Sequence, residues 1–256
     1  CIPKNKLGSA KLMVKENGII SGIEIAKEIF KTYDNSIEFI ANLKDGEKVK
    51  IGDIAFTVHG SSRTLLTIER LVLNVMQRMS AISTLTDKFV QELKGFKTKV
   101  LDTRKTTPLN RFLEKQAVKI GGGHNHRFGL YDMIMLKDNH IDFAGGIKKA
   151  IIKANDYIDA ENLNLKIEIE TRNLQELKEV LKCGGVDRIM LDNFTFDDLK
   201  LAVELINGRF ESEASGGINL KTIKDYALSG VDYISVGALT HSIKNMDLSL
   251  KAINQL

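Results

Sequence analysis

The chain has 256 residues, of which 43% are hydrophobic and 27% charged, a composition that suits a globular protein with a substantial core. No apolar run is long enough to span a bilayer, and the two cysteines cannot supply a disulfide framework, so we expect a cytoplasmic protein with no membrane partner. The net charge of +4 is spread among acidic residues, and the absence of tryptophan leaves few platforms for stacked bases, which disfavours a nucleic-acid partner and favours small anionic substrates.

The first part of the chain predicts an α+β domain, because short β-like runs are mixed with amphipathic helical patterns. The expected elements are strands at 11–14, 37–40 and 54–59 and helices at 22–30 and 62–93. Such a pattern is typical of a small open sheet with a helix packed against it. We assign residues 1–72 to this N-terminal open-sandwich domain, with residues 243–256 as the candidate segment that completes it.

From residue 97 onward the pattern changes to regular alternation of strand and helix. The expected strands are 99–101, 133–136, 166–170, 188–191, 210–213 and 233–236, and the later helices are 174–181, 196–206 and 220–228. A repeat of roughly 20 to 25 residues predicts a parallel β/α barrel, which we assign to residues 73–242. A doubly wound sheet is the alternative, but the chain carries no GxGxxG phosphate turn.

Polar residues follow these strands at the end where each strand finishes. In chain order they are Arg104 and Lys105, Lys137 and Asp138, Glu168 and Glu170 on the third strand, Asp192 and Asn193, Ser215 to Gly217, and Gly237. The carboxyl ends of all strands in a β/α barrel face the same pole, where the active site is built. A single charged residue after a strand means little, but a full ring of them predicts a site.

The ring contains two opposed sets of charges. The cations Arg104, Lys105, Arg127 and Lys137 should hold several negative charges, with arginine suited to carboxylates and lysine to phosphates. Glu168 and Asp192 are hard oxygen ligands, of the kind that hold Mg²⁺ beside a phosphorylated substrate.

Two glycine-bearing turns follow the last two strands, where barrels of this type commonly bind phosphate. Ser215, Gly216 and Gly217 form the first turn, and Gly237 lies in the second. The pair His124 and His126 has a spacing that a metal could use. With no third soft ligand nearby, hydrogen bonding and packing are the preferred interpretation of both.

These motifs together resemble the quinolinate phosphoribosyltransferase family, also called carboxylating nicotinate-nucleotide pyrophosphorylases. The segments that carry the resemblance cover the chain in order and are 102–106, 121–130, 136–140, 167–170, 191–194, 214–218 and 235–242. The resemblance implies an α/β fold of the type II phosphoribosyltransferase kind and a reaction that joins quinolinate to phosphoribosyl pyrophosphate. That reaction releases pyrophosphate and carbon dioxide and gives nicotinate mononucleotide, a step of de novo NAD biosynthesis.

The resemblance also implies a role for each matching residue. Arg104, His126, Arg127 and Lys137 would bind the two quinolinate carboxylates, and Arg70 would enter the site of a neighbouring subunit. Lys105, Glu168 and Asp192 would serve catalysis at phosphoribosyl pyrophosphate and its Mg²⁺, with Glu168 and Asp192 as the metal ligands. Ser215, Gly216, Gly217, Gly237 and His241 would surround the ribose phosphate. Shared sites of this kind imply a homodimer or a dimer-based hexamer.

Three alternatives remain open from the sequence. A sister family associated with molybdenum transport shares the fold and much of the ring, but the intact run from Lys137 to His140 favours the quinolinate enzymes. A non-catalytic phosphate-binding barrel would not need the paired carboxylates Glu168 and Asp192. A basic nucleic-acid binder would show affinity that falls steeply with salt.

Overall fold

A computed structural model describes residues 2–3 and 5–253 of the chain. The described residues divide into two compact units. The first comprises Cys1–Lys88, Thr106–Gly123 and Leu239–Leu256 so far as they are described, and the second comprises Phe89–Lys105 and His124–Ala238. Of the segment predicted to complete the N-terminal domain, residues 254–256 lie outside the described part.

The described residues form twelve strands and nine helices. In chain order the elements are β1 (Leu7–Val14), β2 (Gly18–Ile19), α1 (Ile23–Tyr33), β3 (Glu38–Ala41), β4 (Lys48–Val49), β5 (Ile54–Ser61), α2 (Ser62–Glu92), β6 (Lys99–Leu101), α3 (Arg111–Ile120), β7 (Met133–Leu136), α4 (Asp138–Ala144), α5 (Ile147–Ala160), β8 (Lys166–Thr171), α6 (Leu174–Cys183), β9 (Arg188–Asp192), α7 (Phe196–Ile206), β10 (Glu211–Ser215), α8 (Ile223–Leu228), β11 (Tyr233–Ser235), α9 (Ala238–His241) and β12 (Leu248–Ile253).

The first unit is built on a four-stranded antiparallel sheet with the strand order β12-β1-β5-β3. Alternate residues of β1 are buried, as expected for a strand with one face on a core. Helix α1 covers that core with residues spaced by helical turns, and its Phe30 ring lies 6.0 Å from the ring of Phe56 on β5. These contacts are the α+β arrangement that the sequence pattern predicts.

The second unit is built on a six-stranded parallel sheet with the order β6-β11-β10-β9-β8-β7. Strands β7 to β11 neighbour one another in chain order, and the first strand, β6, pairs with the last, β11. This is the order of a β/α barrel with one seam, because no ladder between described strands joins β6 to β7. The predicted fold class, an N-terminal α+β unit and a parallel β/α sheet, is confirmed.

The predicted strands of the barrel agree with the observed ones to within two residues at either end. Helix α2 and helix α7 are also where the periodicity places them. The pattern does not reveal α3, α4, α5 or the last strand β12. Strand β12 pairs with β1, the first strand of the chain, and a pairing between distant segments leaves no local signal.

Helices α6 and α7 begin at capped positions directly after the strands that carry the charged residues. The side chain of Asn173 accepts a hydrogen bond from the Glu176 amide, and Thr195 accepts one from the Asp198 amide. The caps fix where each loop at the carboxyl end of the sheet turns into helix. Among the described residues, no helix combines the length and apolar character needed to cross a membrane.

Candidate active site

The end of β6 carries the two adjacent cations. Arg104 and Lys105 are exposed, while Asp102, two residues earlier in the chain than Arg104, is fully buried. The Asp102 carboxylate accepts a hydrogen bond of 2.8 Å from the amide of His126, and the hydroxyl of Thr103 accepts one of 3.1 Å from the Lys105 amide. A buried carboxylate and a local turn therefore anchor the loop, and its charged side chains face solvent.

Lys137 stands at the end of β7 and caps α4. Its amide donates to Nδ1 of His140 over 2.9 Å, which fixes the turn from strand to helix. The Lys137 ammonium pairs with the carboxylate of Glu170, which lies on the neighbouring strand β8 and is almost fully buried. This pair places a positive and a negative charge together at the carboxyl end of the sheet.

The strand register separates the two carboxylates that were predicted to share a metal. Glu168 lies opposite Arg188, four residues before Asp192 on β9, which is about 13 Å along a strand. Glu170 lies opposite Met190, two residues before Asp192, and points to the same face because side chains alternate. The structure therefore does not bring Glu168 together with Asp192, and Glu170 is the glutamate on the side of the strand ends.

Glu168 instead belongs to a buried charged cluster inside the sheet. One of its oxygens lies 2.8 Å from Nε2 of His126, and that nitrogen lies 3.9 Å from the Glu213 carboxylate. Arg188 contacts Glu213 at 3.3 Å and Glu211 at 2.9 Å. Burial raises the pKa of the Glu168 carboxyl, and burial together with the charge of Glu168 raises the pKa of Glu213 to about 8. The protonated form of Glu213 is therefore favoured more than in a free glutamate.

His126 and Arg127 follow one another in the segment that runs along the edge of β6. The amide of Arg127 donates to Nδ1 of His126 over 2.7 Å, and the Arg127 guanidinium donates to the carbonyl oxygen of Met133 over 3.0 Å. The His126 side chain is 3% exposed, and both ring nitrogens face protein atoms. The His126 ring therefore presents no nitrogen to a substrate in this structure. Arg127 is half-buried, so part of this residue is accessible.

Asp192 ends β9 at the level of Ser215 on β10. The next residue, Asn193, has a left-handed backbone with φ 55°, and its amide group donates to the Asp192 carboxylate over 2.8 Å. Its backbone N–H donates to the Ser215 carbonyl over 2.9 Å. A Cβ atom placed on Gly216 would lie 2.2 Å from the side-chain oxygen of Asn193. Asn193 is thus wedged between two strand ends and orients the Asp192 carboxylate.

The remaining predicted residues fall into two groups. Gly217, with φ 60°, follows Gly216 in the turn after β10, and Gly237 precedes α9. Arg70 is exposed on α2 and His241 is exposed at the end of α9, and both belong to the first unit.

The sequence interpretation did not assign roles to Glu170, Asn193 and Glu213. The run Lys166 to Glu170 puts both glutamates on one strand face, so counting from the strand end would have favoured the later one. Asparagine is enriched at left-handed positions after strands, which is a weak signal for Asn193. Nothing local distinguishes Glu213, because its partners come from other strands.

A β/α barrel with clustered cations and carboxylates at its carboxyl pole defines a class of enzyme that handles anionic, phosphorylated substrates. Family models narrow this class. The chain belongs to the quinolinate phosphoribosyltransferase family. Residues 1–80 match the quinolinate phosphoribosyl transferase N-terminal domain, and residues 82–251 match the C-terminal domain.

Named relatives agree with this assignment. The chain is 44% identical over 269 residues to quinolinate phosphoribosyltransferase [decarboxylating] 2, mitochondrial, of Nicotiana glauca, covering 100% of this chain and 76% of the relative. It is 43% identical over 241 residues to the probable nicotinate-nucleotide pyrophosphorylase [carboxylating] of Bacillus subtilis, covering 94% of this chain and 82% of the relative.

Solved structures show the same fold. NadC from Streptococcus pyogenes superposes with a TM-score of 0.91 at 39% identity, covering 99% of this chain and 89% of the other. The nicotinate-nucleotide pyrophosphorylase from Francisella tularensis gives a TM-score of 0.91 at 39% identity, covering 98% and 88%.

Proposed function

We propose that this chain transfers the phosphoribosyl group of phosphoribosyl pyrophosphate to the ring nitrogen of quinolinate and removes one carboxylate as carbon dioxide. The products are nicotinate mononucleotide and pyrophosphate, and the reaction belongs to de novo NAD biosynthesis. The observation that carries the proposal is the set of cations and carboxylates at one pole of the parallel sheet. The family relationship supplies the identity of the substrates.

Quinolinate binding is assigned to Arg104, Arg127 and Lys137. Two carboxylates on a flat ring suit arginine, whose planar fork can donate two parallel hydrogen bonds, and the Lys137 ammonium adds a compact charge. His126 is left out of this set because both of its ring nitrogens already face protein atoms. Its predicted contact with substrate is replaced by a positioning role.

The binding of phosphoribosyl pyrophosphate is assigned to Lys105 and to the two glycine-bearing turns. Ser215 ends β10, Gly216 and Gly217 follow it, and Gly237 follows β11. All four residues are half-exposed or exposed, so a phosphate can approach their N–H groups. The role of His241 at the phosphate stays a prediction from the family resemblance. Lys105 would counter the charge of the pyrophosphate, and its position beside Arg104 would put both substrates at one strand end.

The chemistry follows from charge. The ring nitrogen attacks the anomeric carbon while the bond to pyrophosphate breaks and its electron pair leaves with the pyrophosphate. The sugar is cationic in the transition state, and nearby carboxylates stabilise it.

Decarboxylation follows, because the alkylated ring nitrogen is then positive. The bond to the adjacent carboxylate breaks, carbon dioxide departs, and the electron pair left on the ring carbon takes a proton from solvent. Positioning and electrostatics supply most of the rate, since no protein nucleophile is needed.

Mg²⁺ is proposed to be held by Asp192 and Glu170, with Glu170 in place of the predicted Glu168. Both are hard oxygen donors on one face of adjacent strands, and Asn193 orients the Asp192 carboxylate, so the donor set fits such an ion. Glu170 is paired with Lys137, so its carboxylate would accept the ion once the Lys137 ammonium turns to a quinolinate carboxylate. Mg²⁺ bound with phosphoribosyl pyrophosphate would neutralise negative charge on the leaving pyrophosphate.

A direct assay tests the function. The full chain is incubated with quinolinate, phosphoribosyl pyrophosphate and Mg²⁺, and carbon dioxide and nicotinate mononucleotide are measured. We expect equal amounts of both products, loss of turnover with a chelator, and recovery on adding Mg²⁺. A folded preparation that forms no product would refute the proposal, and turnover unaffected by chelation would refute the metal assignment.

A homodimer or dimer-based hexamer with shared sites is proposed from the surface around Arg70. Leu66 is 55% exposed and lies four residues before Arg70, hence on the same face of α2, and Leu71 is 54% exposed. Exposed leucines flanking an arginine fit burial against a second copy of the chain.

Mixing two inactive variants tests this arrangement. If Arg70 acts in the partner's site, Arg70→Ala and Lys105→Ala are each inactive, but a hybrid dimer has one site with neither substitution. Random subunit exchange should then restore about a quarter of the wild-type activity. Light scattering confirms the oligomer, and tagged subunits confirm the exchange. No recovery after confirmed exchange would contradict a shared site.

A cytoplasmic location stays a prediction. The name of the Nicotiana glauca relative places that protein in mitochondria. Fractionation of the source cells, followed by immunodetection of the chain, decides the question.

A further inference from the structure

His126 is held at three points within the second unit. Its backbone N–H donates to the buried Asp102 carboxylate over 2.8 Å, and its Nδ1 accepts from the Arg127 amide over 2.7 Å. Its Nε2 lies 2.8 Å from the Glu168 carboxylate, in an oblique contact rather than a linear one. A side chain restrained in this way transmits its orientation to its neighbour in the chain.

The contacts determine the tautomer of the ring. A backbone amide can only donate, so Nδ1 of His126 must accept and carries no proton. The proton of the neutral ring is therefore on Nε2, the nitrogen that faces Glu168. The other tautomer, with its proton on Nδ1, would place that proton against the Arg127 N–H and break this hydrogen bond.

Arg127 receives this restraint through its backbone. Its N–H is bound to the His126 ring, and its guanidinium is steered by the carbonyl oxygen of Met133 over 3.0 Å. The direction in which Arg127 can offer its remaining donors thus depends on the ring, and the ring depends on the buried carboxylate behind it.

We propose that Glu168 is a positioning residue, which holds the His126 ring and through it sets Arg127 for a substrate carboxylate. This inference rests on the proposed function for the identity of that substrate. It gives Glu168 a role different from metal binding, and it explains why a carboxylate with no exposed surface lies in the interior of the sheet.

A bound metal ion is the competing explanation of the cluster. The ligand atoms of His126, Glu168 and Glu213 lie within 4.8 Å of one another, a spacing that an ion could occupy. Positive charge is already present, however, because the Arg188 guanidinium lies 3.3 Å from the Glu213 carboxylate. A further cation would be repelled by Arg188, so the metal-free cluster is favoured.

Two substitutions at Glu168 separate positioning from charge. Glu168→Gln keeps an acceptor oxygen beside Nε2 of His126 without the negative charge, whereas Glu168→Ala removes the group that lies 2.8 Å from that nitrogen. We expect Glu168→Gln to keep the KM for quinolinate within about threefold and Glu168→Ala to raise it by about tenfold or more. The KM for phosphoribosyl pyrophosphate should change by less than about twofold in either variant.

Glu211→Ala is the matched control. Glu211 pairs with the same Arg188, so its loss perturbs the same cluster, but it is not among the carboxylates within 4 Å of the His126 ring. It should leave the KM for quinolinate within about twofold of wild type. Thermal unfolding of all variants checks the fold.

The state of the ring is read directly by ¹H–¹⁵N correlation spectra of the histidine side chains. Wild type and Glu168→Gln should show His126 with a protonated Nε2 and an accepting Nδ1, and Glu168→Ala should lose this single state. Because the spectra need no turnover, they decide the ring geometry even if the assay finds no product and the proposed function fails.

Three results would overturn the proposal. The first is a protonated Nδ1 in wild type. The second is a Glu168→Gln variant as impaired as Glu168→Ala, which would show that the negative charge itself is needed. The third is a stoichiometric metal ion in the purified protein that Glu213→Gln removes. If Glu168→Ala does not fold, the wild-type spectrum and the KM of Glu168→Gln still support or overturn the positioning role.

Discussion

Replacing Arg104 with alanine is expected to weaken quinolinate binding about ten- to a hundredfold while leaving the thermal unfolding midpoint unchanged. A charge-assisted, bidentate contact with a carboxylate contributes about 1.5–3 kcal/mol, which corresponds to roughly ten- to hundredfold in affinity. Arg104 is exposed after β6, so its removal leaves no cavity in the core. Isothermal titration with quinolinate measures the loss, and calorimetry or circular dichroism measures stability.

Two neighbouring substitutions are the controls for Arg104. Arg104→Lys keeps the charge but lacks the planar fork, so its affinity should fall between those of wild type and Arg104→Ala. Lys105→Ala should weaken the binding of phosphoribosyl pyrophosphate rather than that of quinolinate, because Lys105 is assigned to the phosphorylated sugar. Quinolinate affinity that is equal in wild type and Arg104→Ala would remove Arg104 from its assigned role.

The fold was largely predictable from local pattern. The parallel strands are short apolar runs, and helix α7 was located at its observed ends because its apolar residues recur at helical spacing. The four-stranded sheet of the first unit was harder to predict, since β12 joins it only through pairing with β1. Helix α4 has seven residues, which is too short for a clear periodic signal.

The candidate site was predictable in its composition but not in its register. Residue types identified cations and carboxylates at strand ends, yet choosing between Glu168 and Glu170 requires knowing which residue of β9 each one faces. The family resemblance likewise implied a substrate contact for His126, whereas the residues alone favoured hydrogen bonding and packing for it. Only the three-dimensional contacts show that its ring is turned toward buried carboxylates.

Gly216→Ala is expected to lower kcat/KM by at least about a hundredfold, through Asn193 rather than through direct loss of a substrate contact. The new Cβ would lie 2.2 Å from Oδ1 and 2.6 Å from Cγ of Asn193, far inside contact distance, so Asn193 must move. Its hydrogen bonds to Asp192 and to the Ser215 carbonyl would then break. A φ of 110° is also a strained backbone conformation for alanine.

The same substitution at a remote glycine isolates the steric effect from backbone strain. Gly208 also has a positive φ, of 69°, but a Cβ there would meet no atom within 4 Å, and it precedes β10 at the end away from the site. Gly208→Ala should therefore cost about 1 kcal/mol of stability and leave turnover unchanged.

Gly216→Ala should in addition require more Mg²⁺ for half-maximal rate, because the displaced Asn193 no longer orients the Asp192 carboxylate. Equal turnover in the two variants would show that the wedge formed by Asn193 and Gly216 does not position the metal ligand. A loss of activity in Gly216→Ala with an unchanged Mg²⁺ requirement would place the defect at the phosphate turn instead.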